Sequence, residues 1–154
     1  MNFDDAFKDL IGHEGGYIHH PRDPGGETKY GITRRSYPNE DIRGMTLDRA
    51  KAIYRRDFWD AVRGDEMPYP VAFNVFDGAV NSGVRTSARW LQQAVGTRPD
   101  GIIGPITMTA IHAAHPDRTV ARYNGIRLQF MTDLSTWGDF GKGWARRIAR
   151  NLTA

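Results

Sequence analysis

A chain of 154 residues, 40% hydrophobic and 25% charged, is long enough for a substantial core and has an ordinary globular composition. It has no cysteine, which excludes disulfides, thiol nucleophiles and thiolate metal sites. No apolar run reaches the length of a membrane span. The net charge of +3 is uneven: from Arg118 to Ala154 seven Lys/Arg face two Asp. A basic face of this kind draws anionic partners, whether nucleic acid, phospholipid or an acidic polymer, and charge alone does not choose among them. The opening Met-Asn-Phe-Asp-Asp lacks the basic and apolar regions of a secretory signal. Synthesis in the cytoplasm is therefore expected, with some other release route if the protein acts outside.

In chain order, Phe3, Phe7, Leu10 and Ile11 fall on one helical face, with Asn2 or Asp4 placed to cap its start. Glu14 continues that face and Gly15-Gly16 ends the helix. Tyr17 to Ile32 reads as a loop or small hairpin, rich in glycine and proline. Thr46 caps an expected helix running to about Val62, with Leu47, Ala50, Ile53, Tyr54, Phe58 and Val62 inward. Pro68 and Pro70 interrupt. An apolar helix then runs from Val71 to Val80 and closes at Asn81-Ser82-Gly83. Thr86 or Ser87 opens the next, carrying Trp90, Leu91, Ala94 and Val95 to Gly96. Pro105 suits the first turn of a further helix with Met108 and Ile111 inward. Asp117 is expected to cap a longer one containing Val120, Tyr123, Ile126, Phe130 and Leu134. The last, from about Lys142 to Leu152, sets Trp144, Ile148 and Leu152 on one side, with Arg146, Arg147 and Arg150 elsewhere. There is no solenoid repeat or low-complexity linker. The class is mainly α, with a small β or loop excursion near the start.

The densest chemistry lies in Ile11-Gly-His-Glu14-Gly-Gly-Tyr17 and Asp23-Pro-Gly-Gly-Glu27-Thr28-Lys-Tyr30-Gly31-Ile32. Cleaving a glycosidic bond takes an acid for the leaving oxygen and a second group that attacks, stabilises or activates water at the anomeric centre. Glu14 sits where a helix should end. The negative end of the helix dipole there, and burial against Tyr17 or Tyr30, would hold its carboxyl protonated as a general acid requires. Asp23 and Thr28, nine and fourteen residues on, could face it across a sugar, Asp23 as nucleophile or base and Thr28 as the group orienting water. Asp23 also reads as a plain turn aspartate. Glu27 is the rival second carboxylate, with a salt bridge to Lys29 or Arg22 as its structural reading. Tyr17 and Tyr30 are placed to line the sugar site.

Glu-Gly-Gly-Tyr followed by Asp-Pro-Gly-Gly-Glu-Thr-Lys-Tyr-Gly-Ile resembles glycoside hydrolase family 108, phage and prophage endolysins with N-acetylmuramidase activity. The resemblance implies a compact lysozyme-like helical fold and a catalytic acid at Glu14. The Glu, Asp, Thr order also resembles the triad of phage-type lysozymes, which carries over to Asp23 and Thr28. Trp59, Phe76-Asp77-Gly78-Ala79-Val80-Asn81-Ser82-Gly83 and Ala88-x-x-Leu91-Gln92-Gln93 resemble the family's central region. Asp100-Gly101-x-x-Gly104-Pro105-x-Thr107 resembles its C-terminal peptidoglycan-binding segment. The implied organisation is one compact unit over 1–154, with a catalytic part at 1–90 and a C-terminal helical lobe at 91–154 packed on it. The implied reaction is hydrolysis of the β-1,4 bond from N-acetylmuramic acid to N-acetylglucosamine, lysing bacterial walls from the periplasmic or outer side.

Asp77, amid apolar neighbours, reads either as a cleft residue that binds substrate or as a buried partner. Asn81 could hydrogen-bond an acetamido group or simply cap a helix. The Asp100 to Thr107 stretch reads equally as glycan contact or as a structural loop. His13, His19 and His20 do not make a zinc site, because a zincin needs two histidines at i and i+4 on one helix. The chemistry needs no metal or cofactor. Partners expected are peptidoglycan glycan strands and weak anionic membrane contact through the basic last helix, with no nucleic acid, since no recognised motif accompanies the charge. A monomer is expected. Rival readings are a lytic transglycosylase, which ends in an anhydro sugar, and a non-catalytic peptidoglycan-binding module.

Overall fold

The computed structural model describes residues 1–11, 16–19 and 26–154. The chain divides into two compact units, Met1–Asp57 and Phe58–Ala154. Among the described residues are seven α-helices and one three-stranded antiparallel sheet.

In the first unit, helix α1 (Phe3–Ile11) starts at a reciprocal cap. Asn2 Oδ1 accepts from the Asp4 amide at 2.9 Å, and Asp5 Oδ2 accepts from the Asn2 amide at 2.8 Å. Two amides that a helix start would leave unpaired are thereby satisfied. Phe3, Ala6, Phe7 and Ile11 are buried, and Phe7 packs on Tyr54 with ring centroids 5.7 Å apart. The sheet follows as β1 (Ile18–His19), β2 (Glu27–Lys29) and β3 (Ile32–Thr33), in that order. Its register pairs Ile18 with Thr28, Thr28 with Thr33 and Lys29 with Ile32. The last pair leaves Tyr30-Gly31 as a two-residue turn with φ of 52° and 77°, the mirror-image geometry that matches strand twist. A tyrosine at positive φ is uncommon; here the Tyr54 hydroxyl donates to its carbonyl at 2.9 Å. Any side chain at Gly31 would collide with that hydroxyl.

Helix α2 (Leu47–Tyr54) is capped by Thr46, whose hydroxyl accepts from the Arg49 amide at 3.1 Å. The expected helix to Val62 does not continue as one. A π-helical turn takes over at Arg55–Trp59, and its wider spacing shifts the inward face by one position. Trp59 is thus buried, where the uninterrupted period points to Phe58, which is half-buried. Leu47, at the helix start, is exposed.

The second unit carries α3 (Tyr69–Ser82), α4 (Val84–Val95), α5 (Pro105–Ala113), α6 (Pro116–Thr132) and α7 (Trp137–Thr153). Helix α3 packs on both α4 and α6, and α6 also packs on α4 and α7. The run Asn74–Ala79 of α3 is buried without a break, so that helix is the interior element. Several boundaries differ from expectation. Pro70 lies in the first turn of α3, where its missing N–H costs nothing, so the prolines begin that helix. Gly83 precedes α4, and Ser87 is inside it. The Ser87 hydroxyl meets the Val75 carbonyl at 2.6 Å and the Tyr123 hydroxyl at 2.7 Å. A Cβ at Gly78 would overlap the Tyr123 hydroxyl, so α3 and α6 approach this closely only over glycine. His115 caps α6 in place of Asp117, its ring nitrogen accepting from the Asp117 amide at 3.2 Å. Helix α7 starts at Trp137, five residues before the expected Lys142, through a glycine-rich turn whose low propensity hides it.

The inward face of α6 is the largest departure. Thr119, Tyr123, Asn124, Arg127 and Met131 are buried, while Phe130 is exposed, and Leu134, expected on this helix, lies past its end and is exposed. Polar pairing rotates the helix away from its apolar stripe. Arg127 Nη1 donates to Asp77 Oδ2 at 2.5 Å, Arg147 Nε to Asp77 Oδ1 at 2.8 Å and Asn151 Nδ2 to Oδ2 at 2.9 Å. Asn124 donates to Asn74 Oδ1 at 2.9 Å alongside. Asp77 and Arg127 are almost wholly buried. Burial alone would raise the Asp77 carboxyl, but the charges of Arg127 and Arg147 outweigh it and hold it below the ordinary aspartate range. Ile148 is buried and Leu152 exposed, so α7 docks through Ile148, Arg147 and Asn151.

Replacing Asp77 with Asn leaves the Arg127 charge buried without its counter-ion. The expected loss is about 3–5 kcal/mol of unfolding free energy, read by urea denaturation. Because the folded carboxyl titrates below its unfolded value, the wild-type clamp is present at neutral pH and is lost as pH falls through that lowered value. A variant within about 1 kcal/mol of wild type would refute this account of the clamp.

Candidate functional site

The polar groups of the small sheet converge on Glu27, the first residue of β2. Arg34 donates to Glu27 Oε2 from Nη2 at 2.7 Å and from Nε at 3.2 Å. The Tyr17 hydroxyl donates to Oε1 at 2.8 Å. The guanidinium is fixed in turn by the Pro38 and Glu40 carbonyls, each 3.0 Å from Nη1. The hydrogen bonds from Arg34 and then Tyr17 hold the Glu27 carboxyl below the ordinary glutamate range. The bond to Glu27 in turn pushes the Tyr17 phenol up. Glu27 is therefore an ionised acceptor and Tyr17 a neutral donor at neutral pH.

The salt bridge expected from Lys29 or Arg22 is thus made by Arg34; Arg22 lies outside the described residues. Lys29 instead points its ammonium at the Arg43 carbonyl, 3.4 Å away, and over the Tyr30 ring. Arg43 lies over the Tyr17 ring, 6.0 Å from its centroid. The sequence reading does not single out Arg34, although the signal is present. Around a two-residue turn at Tyr30-Gly31, positions 27 and 34 face each other, as the Arg34 amide on the Glu27 carbonyl at 2.9 Å confirms.

Thr28 is central in β2, its backbone paired on both sides, and its side chain is half-buried. Alternation along the strand puts it on the face opposite Glu27 and Lys29. Its hydroxyl has no hydrogen-bond partner among the described residues. Tyr30 is half-buried at the turn and Tyr17 partly exposed. The positions expected to carry the acid and its partner, Glu14 and Asp23, lie outside the described residues, as do His13 and His20. His19 is exposed on β1.

In the second unit, Asn81 is exposed near the end of α3. Asp77 takes the second of its two readings, a buried partner, since both its oxygens are engaged by Arg127, Arg147 and Asn151. The Asp100 to Thr107 stretch is a loop organised by Gln92. The Gln92 amide donates to Asp100 Oδ1 and the Ile102 carbonyl, both at 2.9 Å, and to Thr107 Oγ1 at 3.2 Å. Its oxygen accepts from the Gly101 amide at 2.8 Å. Asp100 also accepts from the Ile102 amide, which with Gln92 holds its carboxyl below the ordinary range. The motif's polar side chains are spent on the loop itself.

Glu27 gives a pH signature. Its folded value is lowered, so the sheet's support from Arg34 is complete above the ordinary glutamate value of about 4.3 and is lost as pH falls through the folded one. In Arg34→Ala the Glu27 carboxyl, followed by carbon NMR, should titrate measurably higher than in wild type. Coincident titration curves would contradict the assignment.

The family model described as Glycosyl hydrolase 108 matches residues 7–83, and that described as a Predicted Peptidoglycan domain matches residues 86–149. Among solved structures, that of Brucella abortus SagA is similar at 34% identity, over 98% of this chain and 91% of that one, with a TM-score of 0.88. No curated protein matches the chain. The fold is mainly α and lysozyme-like, with a small sheet after the first helix, as the sequence led us to expect.

Proposed function

Because this chain belongs to the glycosyl hydrolase 108 family, we propose that it hydrolyses the β-1,4 bond between N-acetylmuramic acid and N-acetylglucosamine in peptidoglycan. The two matched families together make the chain a glycoside hydrolase acting on peptidoglycan. What supports this particular bond is the Glu-Gly-Gly-Tyr motif. It lies inside the family span and begins, in sequence, three positions past the end of the amphipathic helix α1 with its capped start and buried face.

In this reading Glu14 protonates the leaving oxygen and Asp23 assists the anomeric centre, directly or through water. Asp23 is preferred over Glu27 because the Glu27 carboxylate is already held by Arg34 and Tyr17, which suits a structural anion better than a nucleophile. Thr28, whose hydroxyl is unpaired among the described residues, orients water. Tyr17 and Tyr30 supply sugar contacts in the first unit; Asn81, in the second unit, is a separate sugar contact. The catalytic part is carried by the span of the glycosyl hydrolase match, residues 7–83, and the wall-associated part by that of the peptidoglycan-domain match, residues 86–149. The site of action is the cell wall, where cleavage leads to lysis, with weak anionic membrane contact through the basic face of α7.

Product analysis on purified peptidoglycan tests this directly. Wild type should release reducing muramic ends with one water added per cut. Glu14→Gln should lose about 10²–10⁴-fold in rate while keeping its helical circular dichroism, and Asp23→Asn should also be strongly impaired. Anhydromuramic ends would instead establish the transglycosylase reading. Unchanged turnover in Glu14→Gln would sink the assignment of the acid.

A further inference from the structure

Helices α4 and α6 leave a groove of about 360 Å³ between them. From α4 come Thr86, Arg89, Trp90 and Gln93, at spacings that place them on one face; from α6 come Ile126, Gln129 and Phe130, likewise on one face. Trp90 is almost fully buried and forms the floor. Phe130 stands over it edge-on, ring centroids 5.4 Å apart, yet is 47% exposed. A large aromatic left this open beside a buried one is a wall of the groove.

The rim is chemically unspent. Among the described residues the side chains of Thr86, Arg89, Gln93 and Gln129 make no hydrogen bond or ion pair. Neighbouring arginines on the same helices are committed: Arg85 donates to the Asp100 carbonyl and Arg122 to the Ala94 carbonyl. No acidic residue among those described lines the groove, so Arg89 gives it a net positive charge. Its volume is at the small end of ligand sites, about 300–1,000 Å³, and admits a compact unit and not a folded partner. The whole lining falls within the span matched by the peptidoglycan-domain model. The polar groups of the Asp100 to Thr107 motif in that span are already taken by Gln92.

We infer that this groove is the segment's ligand site and that it takes a muramyl-peptide unit. The carboxylate of the lactyl-linked peptide pairs with Arg89, and the apolar sugar or acetamido face lies on Phe130 and Trp90. The amides of Gln93 and Gln129 bond acetamido and peptide groups. This rests on the peptidoglycan reading above, but not on which residue performs the cleavage.

The full-length Glu14→Gln chain, titrated with purified N-acetylglucosaminyl-N-acetylmuramyl-peptide, tests it by NMR. The Trp90 indole N–H and the Gln93 and Gln129 side-chain amides should shift together. Arg89→Ala and Phe130→Ala, both at exposed positions, should each weaken that binding about tenfold, the effect of losing roughly 1.4 kcal/mol. Chitotriose, which keeps the acetamido groups but lacks the carboxylate, should shift the same probes only at about tenfold higher concentration. Silent groove resonances, or variants that bind as the parent does, would overturn the proposal. The two readings fail separately. Wild type that shows groove shifts but cuts nothing defeats the muramidase assignment alone, and wild type that cuts with a silent groove defeats the groove alone.

Discussion

A single carboxylate, Asp77 on α3, holds the second unit in its arrangement. Placing it in the interior is unfavourable unless its charge is matched, and the match comes from two other helices, Arg127 of α6 and Arg147 of α7. Once that pairing is made, α6 can turn only one face inward. The face it turns carries Asn124, Arg127 and Thr119, which leaves Phe130 outside. The groove between α4 and α6 is a consequence: Phe130 is free to wall it because the polar clamp has taken its place in the core. An apolar replacement of such a clamp can be as stable. Here the ion pairs select which of two helix faces is buried.

The first unit solves a smaller version of the same problem. A three-stranded sheet with strands of two or three residues has little ladder to stabilise it. Its register depends on the tight turn at Tyr30-Gly31, on Tyr54 beneath that turn, and on Glu27 drawing together Tyr17 and Arg34. Glu27 thereby belongs to the scaffold of the sheet, while the hydroxyl of Thr28, on the opposite face, stays unpaired among the described residues. Two residues adjacent in the chain thus hold different offices because a strand alternates its sides.

Gln92 illustrates why a motif can be recognised and still leave two readings open. Asp100, Gly101, Gly104, Pro105 and Thr107 stand out in the sequence as a unit, and they do form one, but around a buried glutamine eight residues before the first of them. Motif spacing reports that residues act together. It does not say whether they act on one another or on a ligand. The side chains with bonding capacity to spare, Arg89, Gln93 and Gln129, form no linear motif, since they come from two helices some forty residues apart.

Local chemistry was legible in the residues themselves. The capped start of α1, Thr46 before α2, Pro105 opening α5, the hairpin region after Tyr17 and the mainly α class all follow from interactions within a few residues, which sequence spacing states directly. The Glu-Gly-Gly-Tyr and Asp-Pro-Gly-Gly-Glu-Thr-Lys-Tyr-Gly-Ile motifs were enough to indicate the family for the same reason. Tertiary structure decided what depends on residues far apart in the chain. It chose the π turn that brings Trp59 inward in place of Phe58. It settled Asp77 among Arg127, Arg147 and Asn151, and with it the rotation of α6. Apolar periodicity ranks the faces of a helix by hydrophobicity, and a buried charge pair 50 residues apart in sequence can reverse that ranking.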